Sequence, residues 1–400
     1  MKRILYLDVD VTYCNPTRTL LRRLVSQVSD EVCFFGPGYV SSDTLALGLP
    51  AFIANHGPFD IVFATEHIAF SEDYIGPDVG EVFRRNYAFR FPLVDLKRCR
   101  EILGDFQKLP VLKVVSLLES DYYNFRVEHI DRLKVTADFL VGWDENFVRQ
   151  KSQVVNLSSE AFAPRVNDNW VEFVCSHRER MIPLVHFVSD DEFDYTALAH
   201  RPADWCVPGT AYDARRRART ALVKAGAIFS RGKSFPFAAI LTRFGLRPFS
   251  RPWFISHYQS SFREEIRGAR FAFTCGSRLG FPIRKFFEIP ALGSVLICAP
   301  CNGFDALGFR DGENAFVCEP EALPALGRRL TADLDAVQNV ANAGRDLVGK
   351  CHTLAARAAQ LKMALELALA GRWYGAEWRN GEMIPLPENV SVRKNNGNRA

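Results

Sequence analysis

The chain has 400 residues, 48% of them hydrophobic, with 50 basic and 46 acidic side chains and a net charge of +4. That length buries sizeable cores and favours two or three domains over one. The near balance of charge excludes a protein whose whole field draws in polyanions, so any attraction to anions is local.

No window approaches the run of about 18 uninterrupted apolar residues that a membrane span requires. The start, MKRILYLDVD, has basic residues and a short apolar run, but Asp8 and Asp10 cut it too soon for a signal peptide. A cytoplasmic protein is expected. Ten cysteines are scattered along the chain, several inside apolar runs, which fits buried thiols in a reducing compartment. Cys298 and Cys301 form a CxxC, yet no second CxxC or CxxH pair follows, so no metal site is expected.

In chain order, residues 3 to 9 form a buried-strand run. Asn15-Pro16 then supplies a cap and a helix-compatible proline ahead of Leu20, Leu21, Leu24, Val25 and Val28 at helical spacing. A strand from Val32 to Phe35 completes a β-α-β unit. Further strands are expected at Ile61 to Ala64, Val111 to Leu118 and Phe139 to Gly142, with an amphipathic helix over 124–136. This rhythm predicts a parallel, doubly wound sheet. Residues 143–181 carry mixed periodicity and close the first domain, and the acidic stretch around Asp190 to Asp194 is expected to join two domains.

A second pattern opens at Trp205 to Val207 with a strand, Pro208-Gly209-Thr210, a helix over 213–224 stopped by Gly226, and a strand over 227–230. Residues 231–260 read as a long loop with one helix, rich in Arg, Phe and Pro. A helix over 262–270 leads to a strand at Phe271 to Thr274. After a glycine-bounded loop comes a short helix carrying Arg284, Lys285 and Glu288, then strands at Val295 to Cys298 and Ala315 to Cys318. The remainder is helical over 321–331, 333–348 and 352–369, and a polar tail begins near Pro387. Expected domains are therefore 1–190, 200–370 and an extension over 371–400. The fold class is α/β, with two Rossmann-like domains facing across a cleft and C-terminal helices closing it.

Gly209 and Thr210 sit at a strand end just before a helix, a place where backbone N–H groups and the helix dipole suit a phosphate. Arg215 lies one turn further on. Of Arg215, Arg216, Arg217 and Arg219, at most two can face one ligand, since the run covers too many helical directions. Around the short helix, Arg284 or Lys285 would supply positive charge to a diphosphate and Glu288 would accept bonds from vicinal hydroxyls. A surface ion pair between Arg284 and Glu288 is the alternative.

Phe281 to Pro300 (FPIRKFFEIPALGSVLICAP), the later GFRDGENAFVCEPEALPAL and ANAGRDLV resemble the C-terminal half of nucleotide-sugar glycosyltransferases of the GT-B fold. They are most similar to the CgeB-like and group 1 transferases, and WCVPGTAYDARRRARTALVKAG resembles the start of their donor domain. The resemblance covers about 200–365 and implies that Glu288 binds the donor's ribose. It implies that Arg284 or Lys285 and the loop Gly276-Ser277-Arg278 lie near the diphosphate, with Gly209, Thr210 and Arg215 bordering it. Where retaining members carry a second carboxylate eight positions earlier, this chain has Gly280. The expected donor is a nucleoside-diphosphate sugar, with no other cofactor.

Acceptor chemistry would fall to the first domain. His67 and Glu66, Glu119 and Asp121, and Asp8 and Asp10 all stand at strand ends, and Glu119 and His67 are the foremost candidates for a general base. The implied function is metal-independent transfer of a sugar to the hydroxyl of a glycan or lipid-linked acceptor, in bacterial surface-glycan assembly. Two other readings remain open: an epimerase of sugar nucleotides with the same fold, and a nucleic-acid or anionic-surface binder using the Arg215 to Arg219 run and the Arg243, Arg247, Arg251 stretch with Phe244, Phe249 and Trp253. The small net charge argues against nucleic acid. The same Arg/Phe stretch would serve peripheral contact with a membrane that carries a lipid-linked acceptor.

Overall fold

The computed structural model describes residues 3–71, 90–118, 127–148, 168–209, 213–230, 251–277 and 280–388, with six further positions between 240 and 248. The first half runs β1 (Arg3–Leu7), α1 (Pro16–Val28), β2 (Glu31–Phe35), α2 (Ser42–His56), β3 (Ile61–Thr65), α3 (Glu66–Ala69), α4 (Leu93–Lys97), α5 (Cys99–Lys108), β4 (Leu112–Ser116), α6 (Val127–Thr136), β5 (Phe139–Gly142), α7 (Asp168–Ser176) and β6 (Met181–Pro183). Its strands form one parallel sheet in the order β2-β1-β3-β4-β5-β6. Ile4 to Leu7 and Ile61 to Ala64 are buried, as a sheet covered on both faces demands. The Asn15 side chain caps α1 by accepting from the backbone N–H groups of Thr17 and Arg18, and the helix buries Leu20, Leu21, Leu24, Val25 and Val28.

The second half contains β7 (Ala203–Cys206), α8 (Asp213–Lys224), α9 (Pro252–Arg267), β8 (Ala269–Thr274), α10 (Lys285–Ala291), β9 (Val295–Cys298), β10 (Phe316–Val317), α11 (Leu323–Thr331) and α12 (Leu334–Cys351). Its parallel sheet has the order β10-β9-β8-β7. The strand expected over 227–230 is reduced to a single bridge between Trp205 and Phe229, the helix having ended at Gly226 with φ of 72°. A three-residue strand, β6, lies where no strand was expected. It ends at Pro183, which cannot donate to a further neighbour and suits the sheet's edge.

Two crossings join the halves. The chain leaves β6 through residues 184–202, and it returns at 352–354, where the Val188 N–H donates to His352 O at 3.1 Å and the Leu354 N–H to Val188 O at 2.8 Å. α13 (Leu354–Leu369) then packs on α1 of the first half, its alanines allowing close approach. The hairpin β11 (Ala376–Arg379) and β12 (Glu382–Pro385) follows beside β6, and Trp373 Nε1 donates to Met181 O at 3.2 Å. Across the seam Trp143 meets Phe281 with ring centroids 4.1 Å apart, and Gly303 packs against Phe147. Among the described residues no helix is long and apolar enough to cross a membrane.

Candidate functional site

In the second half, Gly209, Arg215 and Lys285 converge although 76 positions separate the first and last. Gly209 follows the carboxyl end of β7 with φ of 86°, a conformation natural to glycine. A Cβ at this glycine would collide with the Lys285 stem, lying 3.0 Å from Lys285 Nζ and 3.5 Å from Arg215 Nη1. Arg215 stands in the first turn of α8 and is almost wholly buried. It donates to Thr274 Oγ1 at 3.1 Å and to Cys275 O at 3.5 Å, both at the end of β8. Lys285 opens α10, and its ammonium lies over the Phe262 ring at 5.3 Å. Burial and the neighbouring Arg215 bring the Lys285 ammonium down to about 8. Among the described residues no carboxylate lies within ion-pair distance of Lys285. Two adjacent cations at so short a range attract an anion.

Arg284 is placed differently. It pairs with Glu288 at 3.1 Å and with Glu192 of the crossover, and Glu192 also receives Arg263 at 2.8 Å. Burial alone would lower the Arg284 guanidinium, but Glu288 and Glu192 outweigh it and raise it. Arg284 therefore belongs to an ion-pair bridge, whereas Lys285 has no carboxylate at ion-pair distance among the described residues. The Arg284–Glu288 pair exists as the alternative reading had it, though part-buried rather than on open surface. Gly276 and Ser277 form a tight turn in which the Ser277 N–H donates to Phe281 O at 2.7 Å. Gly280 in that turn has φ of 82°, so the position eight before Glu288 serves here as a backbone turn. Thr210, Arg278 and Glu119 lie outside the described residues.

In the first half, β1 and β3 are the strands between which the sheet order reverses, the place where open α/β sheets bind ligands. Asp8, at the end of β1, is buried and accepts from the Val9 N–H at 2.8 Å, Thr65 Oγ1 at 2.5 Å and Tyr6 OH at 3.0 Å. His67 Nδ1 lies 3.0 Å from Asp8 Oδ1, while its Nε2 faces Arg18 Nη2 at 3.4 Å. Arg18 also pairs with Glu66. Burial pushes the Asp8 carboxyl up, but Arg18, His67 and Thr65 more than compensate, so it lies below its ordinary value. His67 is thus a member of a buried network. Its outer nitrogen lies against the Arg18 guanidinium.

A cavity of about 310 Å³ opens between the halves, lined by Thr12, Thr19 and Arg23 on one side and by Ser256, Gln259 and Arg284 on the other. Asp191 and Glu192 of the crossover form its floor, and Arg23 reaches Asp191 at 3.4 Å. Glu192 was missed in the sequence as a site-shaping residue. The signal was present, because Ser189 and Glu192 form a capping box around the turn Asp190–Glu192. His186, also in the crossover, is driven down to about 3 by burial and by Arg284 and Lys285, so it remains neutral.

Residues 253–363 match the family model described as glycosyl transferase-like. The whole chain is similar in fold to Anabaena Alr3699/HepE in its crystal structures with UDP, with UDP-glucose, and with UDP and glucose. TM-scores are 0.50, 0.51 and 0.51 at 12% identity, covering 92% of this chain and 100% of that one. No curated protein matches the sequence. With two parallel sheets facing across a cleft, a returning C-terminal helix and a glycosyl transferase-like segment over residues 253–363 forming the wall that bears Lys285 and Glu288, the chain has the GT-B fold.

Proposed function

We propose that the enzyme transfers a sugar from a nucleoside-diphosphate donor to an acceptor hydroxyl, and that the donor's diphosphate sits between Arg215 and Lys285 beside Gly209. The observation that carries this is the pair of cations converging beside a glycine whose missing side chain lets the Lys285 stem lie against the backbone. The N-terminus of α8 adds the positive end of a twelve-residue helix. These groups stabilise the negative charge that grows on the leaving diphosphate as its bond to the anomeric carbon breaks, without calling on a metal ion. The family match supports the reading, as does the likeness in fold to a protein crystallised with UDP and UDP-glucose.

Glu288, one turn into α10 and at the edge of the same group, is assigned to the ribose hydroxyls. The Gly276-Ser277 turn borders the phosphates. The second half thus takes the donor and the first half the acceptor, a glycan or a lipid-linked glycan in assembly of a bacterial surface polysaccharide. His67 is assigned a positioning role, holding Asp8 and the loop after β1, because its Nε2 faces Arg18.

Titration calorimetry with UDP and the other common nucleoside diphosphates tests the donor site. The expected result is binding of at least one of them, weakened about tenfold or more by Lys285→Ala, the loss of one charge-assisted contact, and weakened also by Glu288→Ala. Equal affinity of wild type and both variants for every nucleotide would overturn the assignment.

A further inference from the structure

The crossover that follows β6 is held at both ends. The Leu184 N–H donates to Gly142 O at 2.9 Å, and the Val188 N–H donates to His352 O at 3.1 Å. Within that span Leu184, Val185, Phe187 and Val188 are buried, and His186 alone is partly open to solvent. Its ring meets Trp143 edge-on at 5.4 Å, and Trp143 packs on Phe281 across the seam with centroids 4.1 Å apart. Phe281 closes the Gly276-Ser277 turn, its carbonyl accepting from the Ser277 N–H at 2.7 Å. From the linker, His186 therefore reaches the wall that bears Lys285 through one intervening indole.

Among the described residues neither ring nitrogen of His186 has a hydrogen-bond partner. His67, His177 and His352 each set a ring nitrogen within 3.1 Å of an oxygen, at Asp8, Phe173 and Leu307. Packed polar groups ordinarily find such partners. An imidazole fixed by its backbone, with both nitrogens unused, is left for a ligand. Among the described residues the charges that act on it are Arg284 and Lys285, both cationic. They hold the ring neutral, a form with one N–H donor and one acceptor nitrogen. The group that two cations attract is an anion, and to an anion a neutral imidazole offers its N–H. A ring so hard to protonate is a weak base, unsuited to taking the proton of an acceptor hydroxyl.

We infer that His186 contacts the donor's diphosphate, donating its N–H to an oxygen of the sugar-bearing phosphate from the linker side, while Arg215 and Lys285 hold the group from the second half. This contact rests on the donor site proposed above. With the ribose at Glu288, deep in the second half, the phosphate that faces the linker is the one bonded to the sugar. As the bond to the anomeric carbon breaks, negative charge grows on that phosphate, and the hydrogen bond strengthens with no proton changing hands.

Calorimetric titration of the full chain with UDP and UMP, and with ADP, AMP, GDP and GMP beside them, tests the inference. His186→Phe keeps a ring against Trp143 and removes the donor, whereas His186→Gln restores a donor. For the nucleotide that wild type binds, His186→Phe is expected to weaken the diphosphate about tenfold or more, the loss of a hydrogen bond to a charged group. The monophosphate is expected to bind that variant as it binds wild type, and His186→Gln to recover part of the loss. Because both ligands are compared on one variant, a general loss of folded protein moves them alike. Equal weakening of diphosphate and monophosphate, which a packing role predicts, would overturn the proposal, as would unchanged affinity for both. If Lys285→Ala weakens the diphosphate and His186→Phe does not, the contact at His186 fails and the donor site stands. A wild type that binds no nucleoside diphosphate overturns both.

Discussion

Lys285 is the residue on which the donor reading turns, and its titration gives that reading a pH signature. An ammonium lowered to about 8 by burial and by Arg215 is partly deprotonated in the empty site near that pH. A diphosphate beside it favours the charged form, so binding takes up a proton and affinity falls as pH rises through about 8. Calorimetry in buffers of different ionisation enthalpy should detect that uptake, and Lys285→Arg, whose guanidinium stays charged, should flatten the profile. A wild-type affinity that is level from pH 7 to 9 would contradict it. The sign for stability is separate. The unfolded lysine keeps its ordinary value, so the cost of burying this charge is fully present below pH 8 and fades as pH rises towards that value.

His67 separates two roles that sequence could not tell apart. A general base at this position predicts a loss of about 10²–10⁴ in kcat on substitution with little change in melting. The network around Asp8 predicts the reverse. His67→Ala removes one buried partner of Asp8, leaving Arg18, Thr65, Tyr6 and the Val9 N–H, which costs about 1–3 kcal/mol of stability. Thermal melting and kcat measured together on this variant decide between them, and the expected outcome is a lowered Tm with kcat reduced less than tenfold.

At the scale of elements, strands and helices were legible where one local rule dominated. Asn15-Pro16 announced α1, Gly226 announced the end of α8, and the unbroken apolar runs Ile61 to Ala64 and Val295 to Cys298 announced buried strands. Elements were lost where the rule was interrupted. In α2, Gly48 with φ of 85° and Pro50 break the helical period and kink the helix. In β6, three residues are too few to show a period. The turn between β7 and α8 depends on Gly209 for the same reason that α8 depends on Gly226. Gly209→Ala is expected to strain a left-handed backbone position by about 1–3 kcal/mol and to push Lys285 aside. Nucleotide affinity should fall with it, while Gly226→Ala, with nothing within 4 Å of its new methyl, should lower Tm alone. A parallel titration and melting series on the two variants checks this.

At the scale of the whole molecule, the second half is not self-contained. α13 leaves it, crosses beside residue 188 and covers α1, burying Leu354, Ala358, Leu361, Leu365 and Ala368 there. Arg357 is buried with it, stacked 4.5 Å over Trp378 and bonded to the neutral His352. A chain ending at Thr353 would expose the apolar face of α1 as well as the edge at Met181. It is expected to lose its cooperative unfolding transition, as followed by circular dichroism, and a truncation at Pro387 is expected to keep it. The ion-pair bridge of Glu192 with Arg284 and Arg263 lies at the other crossing and ties the second half to the linker, while Arg23 of the first half reaches Asp191 at 3.4 Å.

The fold class, and the wall proposed for the donor, were readable from sequence alone because parallel strands, glycine stops and the Phe281 to Pro300 motif are local patterns in one dimension. The sequence also brought Gly209, Arg215, Lys285 and Glu288 onto one short list. Only the tertiary structure decided among them. Arg284 and Lys285 are neighbours in sequence with the same charge, and their roles diverge because the crossover brings Glu192 to one and Arg215 to the other. Long-range packing, to which adjacent residues are blind, made Arg284 a strut and set Lys285 beside Gly209 and Arg215, where the donor's diphosphate is proposed to sit.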